Sequence, residues 1–377
     1  MNTFNALVGE KLTEILKKQG ITAPTAIQVG AIPIIASGRD LMAQSATGTG
    51  KTLAYLLPIF AALDPEIKGC QAVVIAPTYE LAAQIAKVAA TLADNPTDVA
   101  LLIGSASKSR QLDALKAKPK VVIGSIGRIL EHRDDKKLSL HNVRTLVFDE
   151  ADRLFVTETM DSIEKLIKST LRDRQILLFT ASLTDGVLAR AMPLTKQADI
   201  LRLDDLLPQN IRHYYITTTG REKFDTLRKL MHALDVPQAI TFVNAPFTIE
   251  KVAARLNHHK LAAMPLFGAA QAAGRKAAMD AFRAGKTRLL VASDVGSRGL
   301  DVPTLRYVIN LYLPSNEKDY LHRAGRCGRL GRDGVVISIV TDGEAASLKK
   351  MAAKLKVDVS PATLSRGQLL TKGGDVI

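Results

Sequence analysis

Ala46-Thr47-Gly48-Thr49-Gly50-Lys51-Thr52 gathers small residues, two glycines, a lysine and a hydroxyl into seven positions. Such a run lets the backbone curl until successive N–H groups face an anion, with a helix N-terminus behind them. Residues 39–44 read as a short strand entering it and residues 53–57 as a helix leaving it, the strand-loop-helix setting of a phosphate loop. In that setting Thr47, Gly48, Thr49 and Gly50 cradle phosphates, Lys51 reaches the terminal ones, and the Thr52 hydroxyl ligates Mg²⁺. Ser45 stands at the first position of the pattern, where Gly is usual, and is still small.

Three further groups fit nucleotide chemistry. Asp149-Glu150-Ala151-Asp152 directly follows the apolar run 145–148. In a phosphate-loop enzyme the first carboxylate holds Mg²⁺, usually through water, and the next orients or deprotonates the attacking water. Without the loop upstream, the same residues would be an acidic helix start favoured by the macrodipole. Gln28 offers a donor and an acceptor together, the pattern that adenine's exocyclic amine and ring nitrogen match. Phe4 is either a core residue or a stacking partner for the base. Arg323, Arg326 and Arg329 recur at three-residue spacing in a glycine-bearing segment. Two guanidinium groups on one helical face suit a transferring phosphoryl group, and a solvated basic helix is the alternative.

These residues need a scaffold that gathers them. Short continuous apolar runs at 72–75, 100–103, 121–123, 145–148 and 176–179 alternate with helical stretches such as 80–92 and 161–171. That is the pattern of a parallel sheet buried on both faces, an open α/β fold with ligands beyond the carboxyl ends of its strands. Pro208 and Asn210 interrupt the series, and a second one follows with runs at 239–243, 288–291 and 307–309 but no second phosphate loop. The division is therefore a first domain over 1–205 carrying the nucleotide loop, a linker over 206–212, and a second domain over 213–357. A short mobile tail is expected over 358–377.

At 377 residues, 47% hydrophobic and 23% charged, the chain suits two globular cores. No apolar run reaches the roughly 18 residues of a membrane span. The start lacks an export pattern, and Cys70 and Cys327 form neither a metal pattern nor a disulfide framework, so a cytoplasmic location is expected. The net charge is +14, unevenly spread. Residues 1–205 hold 25 Lys and Arg against 23 Asp and Glu, whereas residues 206–377 hold 26 against 14. The second half is the one that attracts a polyanion.

Taken together, the motifs resemble the DEAD-box family of ATP-dependent RNA helicases, within helicase superfamily 2, from Phe4 to about residue 355. Asp149-Glu150-Ala151-Asp152 spells the family name. The resemblance implies two tandem RecA-like domains, ATP and Mg²⁺ as cofactors, and RNA as a largely sequence-independent partner of a monomer. It implies that Phe4, Thr25 and Gln28 form the adenine-reading element, and that Lys51 and Thr52 hold phosphate and metal. Asp149 and Glu150 would be the metal and water-activating carboxylates. Thr180 and Ser182 would link hydrolysis to strand separation, Asp301 would lie near the ribose, Arg326 and Arg329 would be arginine fingers, and His322 would link the domains. RNA would meet Pro77, Thr78, Gly104, Gly127 and Arg128 in the first domain. In the second it would meet Asn244, Gly268, Arg275, Ser293 and Asp294. Such contacts go to phosphates and ribose hydroxyls.

The chain departs from the family pattern at several places. Tyr79 replaces a usual Arg, Ile21 an aromatic residue, Ser105 a Gly and Ile126 a Pro. Gln271 is shifted by one relative to Arg275, and Thr180-Ala181-Ser182 reverses the usual order of its hydroxyls. The ATP-handling groups are intact and the changes cluster on the RNA side. The main expectation is an RNA-dependent ATPase that separates strands locally or remodels ribonucleoprotein. The alternative is an ATP-gated RNA clamp or scaffold with weak unwinding; a DNA-directed enzyme of the same superfamily fits Gln28 and the acidic run less well.

Overall fold

The computed structural model describes the chain apart from residues 1, 2, 47, 105, 204–209, 235–237, 245, 267–271, 295, 297–301, 303, 304, 329–331 and 377, and the side chains of 246, 247, 272 and 273. Apart from Ala46–Gly48, which group with the second unit, the chain separates after Asp205 into two compact units, each built on its own sheet.

The first sheet comprises β1 (Leu41–Gln44), β2 (Ala72–Ile75), β3 (Val99–Leu102), β4 (Val121–Gly124), β5 (Thr145–Asp149), β6 (Gln175–Thr180) and β7 (Asp199–Arg202). They lie in the order β3-β4-β2-β5-β6-β1-β7, and every pair is parallel. Successive residues of a strand point to opposite faces. Val74, Val147, Leu177 and Phe179 accordingly enter one apolar cluster, and Val73, Leu146, Phe148 and Leu178 enter the other. Helices cover both faces, which is why these strands read as unbroken apolar runs rather than alternating ones.

The second sheet comprises β8 (Ile211–Thr217), β9 (Ala239–Phe242), β10 (Ala263–Leu266), β11 (Leu289–Ala292), β12 (Tyr307–Asn310), β13 (Gly334–Val340), β14 (Val359–Ser365) and β15 (Gln368–Thr371). Their order is β10-β11-β9-β12-β13-β8-β14-β15, parallel except for the last pair.

Two expectations about boundaries change. Of the expected linker, residues 206–209 lie outside the described residues, while Ile211 and Arg212 already belong to β8. The expected mobile tail is instead β14 and β15. Arg366 and Gly367 join them with φ of 49° and 76°, the paired left-handed turn that suits a two-residue hairpin. Ala362 and Leu369 are buried in a core cluster of the second unit, so this segment gains apolar contacts that Pro361 and the neighbouring glycines hide in the sequence.

Candidate active site

Most of the predicted residues of the first unit lie at or beyond the carboxyl ends of the parallel strands. Ser45 follows β1, and its hydroxyl lies 2.6 Å from that of Thr49. Lys51 opens the helix Lys51–Ala62, and its Nζ donates to the Ser45 carbonyl at 2.6 Å. Gly48 and Gly50 have φ of 86° and 95°, where a side chain would be strained. At Gly50 a Cβ would also stand 2.5 Å from Gln28 Nε2. Gln28 donates to the Gly50 carbonyl at 3.1 Å and accepts the Thr25 N–H at 2.9 Å, tying the helix Ala26–Ala36 to the loop. One N–H and one lone pair of its amide remain for a base. Thr47 lies outside the described residues. Phe4 is a correction. It is 2% exposed and packs with Leu12, Leu16 and Ile27, because the helix Phe4–Val8 turns its one buried side chain into the core. It is a core residue and not a partner for the base.

Asp149 closes β5 and is 3% exposed. Its Oδ1 accepts the Glu150 N–H at 2.9 Å and its Oδ2 accepts the Tyr55 hydroxyl at 2.9 Å. Burial pushes its carboxyl up to about 6, against the pull of Lys51 and with a further push from Glu150. A carboxylate so placed gains from an added cation. Glu150 adopts φ 50° and ψ 50°, a conformation uncommon outside glycine, and ion-pairs with Arg153 Nε at 3.3 Å. Thr180, at the end of β6, donates to Asp152 Oδ1 at 2.7 Å and accepts the Ser182 N–H at 3.0 Å. The Thr180 hydroxyl therefore joins the acidic run to the backbone of the next loop. Tyr55 and Arg153 escaped the sequence reading; the one signal for Tyr55 is its place three residues after Thr52 on a helix.

A second group occupies β2, β3 and β4, which are neighbours in the sheet. Thr78, after Pro77, caps the helix Tyr79–Leu92 by accepting the Leu81 N–H at 3.3 Å. Gly104 follows β3, and Gly127 and Arg128 lie in the first turn of the helix Ile126–Asp134 after β4. Arg128 donates to the Gly104 carbonyl at 3.3 Å and pairs with Glu131 at 2.8 Å. A Cβ on Gly104 would lie 2.8 Å from the Tyr79 hydroxyl, so the residue that replaces the usual Arg covers this glycine. A Cβ on Gly127 would meet nothing within 4 Å. Ser105 lies outside the described residues.

In the second unit the arginine segment divides by role. Arg323 is 1% exposed and uses all five of its N–H groups, on Asp294, Asn310, Asn244 and the Tyr312 carbonyl. Arg326 is buried too and donates from Nε to the His322 carbonyl at 3.0 Å. Of the residues expected to face RNA, Asn244 is exposed and Asp294 is partly so. Arg275 and Ser293 are corrections. Arg275 is 5% exposed and donates to the Gly296 carbonyl, and the Ser293 hydroxyl, also buried, accepts the Gly296 N–H at 3.1 Å. Both hold the turn after β11 from inside, so they shape the surface without forming it. Gly268, Gln271, Asp301 and Arg329 lie outside the described residues.

Comparison with known proteins gives the family. A family model described as DEAD/DEAH box helicase matches residues 25–190, and one described as Helicase conserved C-terminal domain matches residues 222–331. The chain is 40% identical to the DEAD-box ATP-dependent RNA helicase CshC of Bacillus cereus, over 95% of this chain and 92% of that one. It is 39% identical to the probable ATP-dependent RNA helicase YfmL of Bacillus subtilis, over 94% of each. Among solved structures it is similar to S. cerevisiae Dbp5 bound to RNA and ADP BeF3. The TM-score is 0.86 at 27% identity, with 96% of this chain and 95% of that one covered. The chain belongs to the DEAD-box family of ATP-dependent RNA helicases, with the family's tandem RecA-like fold. Among the described residues no helix is long and apolar enough to cross a membrane.

Proposed function

We propose that this chain hydrolyses ATP in response to RNA and uses the cycle to separate strands locally, with the roles assigned above. The observation that carries the proposal is the division of one sheet edge. β5, β6 and β1 present Asp149, Thr180 and the phosphate loop, while the adjoining β3, β4 and β2 present Gly104, Gly127, Arg128 and Thr78. RNA and nucleotide loops thus hang from neighbouring strands of a rigid sheet.

The chemistry follows from the residues. Lys51 neutralises phosphate charge, and Gln28 reads the base while touching the loop that holds the phosphates. Glu150 orients the attacking water and takes its proton, giving ADP and phosphate. Mg²⁺ fits Thr52 and Asp149, since Asp149 is a buried carboxylate that a cation would relieve. Among the described residues no group of three or more His, Cys, Asp or Glu could hold a metal ion without help. That suits a cation which keeps its waters and leans on substrate phosphates. When bound, it would neutralise charge on the terminal phosphates. The contact of Thr180 with Asp152 carries the state of the acidic run into the loop that follows β6.

The test is steady-state ATP hydrolysis with single-stranded RNA, with single-stranded DNA, and with neither. Stimulation by RNA alone is expected. Tight ATP-dependent RNA binding with no stimulation would favour the clamp, a reading that Tyr79 over Gly104 and the inward-turned Arg275 support. Stimulation by DNA would overturn RNA as the partner. Arg326→Ala is expected to slow RNA-stimulated hydrolysis by about 10³-fold if its guanidinium meets the developing phosphoryl charge. A retained rate would leave Arg326 a structural residue.

A further inference from the structure

One buried polar contact is unused by the roles above. Tyr55 lies on the helix Lys51–Ala62, is fully buried, and packs its ring on Phe179 with centroids 5.1 Å apart. Its hydroxyl donates to Asp149 Oδ2 at 2.9 Å. Packing alone asks only for a ring here, and a phenylalanine would fill the same space beside Phe179. A buried hydroxyl is costly unless partnered, and Asp149 is the partner of this one.

We propose that Tyr55 is a positioning residue for the Mg²⁺ site: its phenol fixes how the Asp149 carboxylate is turned. The inference rests on the assignment of Thr52 and Asp149 as the metal's protein ligands. Mg²⁺ demands near-ideal octahedral geometry while taking few protein ligands, so the orientation of those few decides how well it binds. With Glu150 N–H on one oxygen and Tyr55 on the other, Asp149 has one low-energy orientation. A phenol does this without adding charge, which a lysine in its place could not.

The experiment titrates Mg²⁺ into the full chain with a fluorescent ADP analogue and reads the half-saturating Mg²⁺ concentration, alongside analogue binding in EDTA. Tyr55→Phe is expected to raise the half-saturating Mg²⁺ about 10-fold, at the lower end of what loss of a supporting hydrogen bond costs at metal sites. Binding in EDTA stays unchanged. Phe179→Leu disturbs the packing but keeps the phenol, and is expected to leave the Mg²⁺ response alone. Asp149→Asn tests the underlying assignment, and in its background Tyr55→Phe is expected to add nothing. A wild-type Mg²⁺ response in Tyr55→Phe overturns the inference. So does a loss of affinity equal with and without Mg²⁺, or the same shift in Phe179→Leu, each of which would make Tyr55 a packing residue. A wild-type response in Asp149→Asn overturns the metal assignment instead.

Discussion

Glu150→Gln leaves ATP and RNA bound and slows hydrolysis by about 10³-fold, equivalent to about 4 kcal/mol of activation barrier. The substitution keeps volume and shape but replaces a proton acceptor with an amide that is not basic at neutral pH. It leaves the fold intact for local reasons. The carboxyl is not in a core cluster, the left-handed backbone at φ 50° accepts Gln as readily as Glu, and the lost partner is one ion pair with Arg153 at 3.3 Å. Both side chains of that pair are largely buried, 14% and 18% exposed, and the uncharged Gln amide oxygen can still accept from Arg153 in place of the carboxylate. The measurement is single-turnover hydrolysis of labelled ATP, with equilibrium RNA binding in ATP as the control. Normal turnover would remove Glu150 as the base. A loss of RNA binding in parallel would mean that the residue shapes the loop rather than the chemistry.

The contrast between Glu150 and Arg323 shows where a sequence stops being legible. Groups whose role depends on local spacing could be read directly. The phosphate loop sits between β1 and its helix, and the acidic run follows β5, because strand, loop and helix are neighbours in sequence. Roles that depend on distant strands could not be read in the same way. Arg275 looks like a surface cation, yet the turn after β11 encloses it, and only the tertiary fold brings Gly296 to it. Phe4 has the residue type of a stacking partner, but a residue at a helix start can face either way. β13 is entirely buried, and it is hidden in the sequence because it directly follows the arginine and glycine segment. β14 and β15 were concealed by Pro361 and by a turn made of Arg-Gly, since the two left-handed residues such a hairpin needs are more often Asn-Gly.

Arg323→Ala destabilises the second unit by about 3 kcal/mol, lowering its melting temperature by roughly 10 °C. The side chain is fully buried and spans the carboxyl ends of three strands, β9, β11 and β12. It makes a two-pronged pair with Asp294 at 2.6 and 2.8 Å, bonds to Asn310 and Asn244 at 3.2 Å each, and to the Tyr312 carbonyl at 2.7 Å. Its guanidinium also stands 5.0 Å from the Phe242 ring centre. Removal takes a donor from one carbonyl and two amides, and the two-pronged pair from a carboxylate. The Asp294 side chain is 30% exposed, so water recovers part of that loss and the figure stays at the low end for a broken buried pair. Arg323→Lys is expected to recover only a fraction, because one ammonium cannot reach four acceptors that a planar fork reaches at once. Calorimetry resolves the matter, since two units give two transitions to compare. The second is expected to fall while the first holds, and a shift below about 2 °C would remove Arg323 from the framework. Asn244 and Asp294 carry the consequence into function. Both are expected to face RNA, and both are hydrogen-bonded by this one guanidinium, so at a temperature where the variant is still folded RNA-stimulated hydrolysis is expected to drop more than ATP binding does.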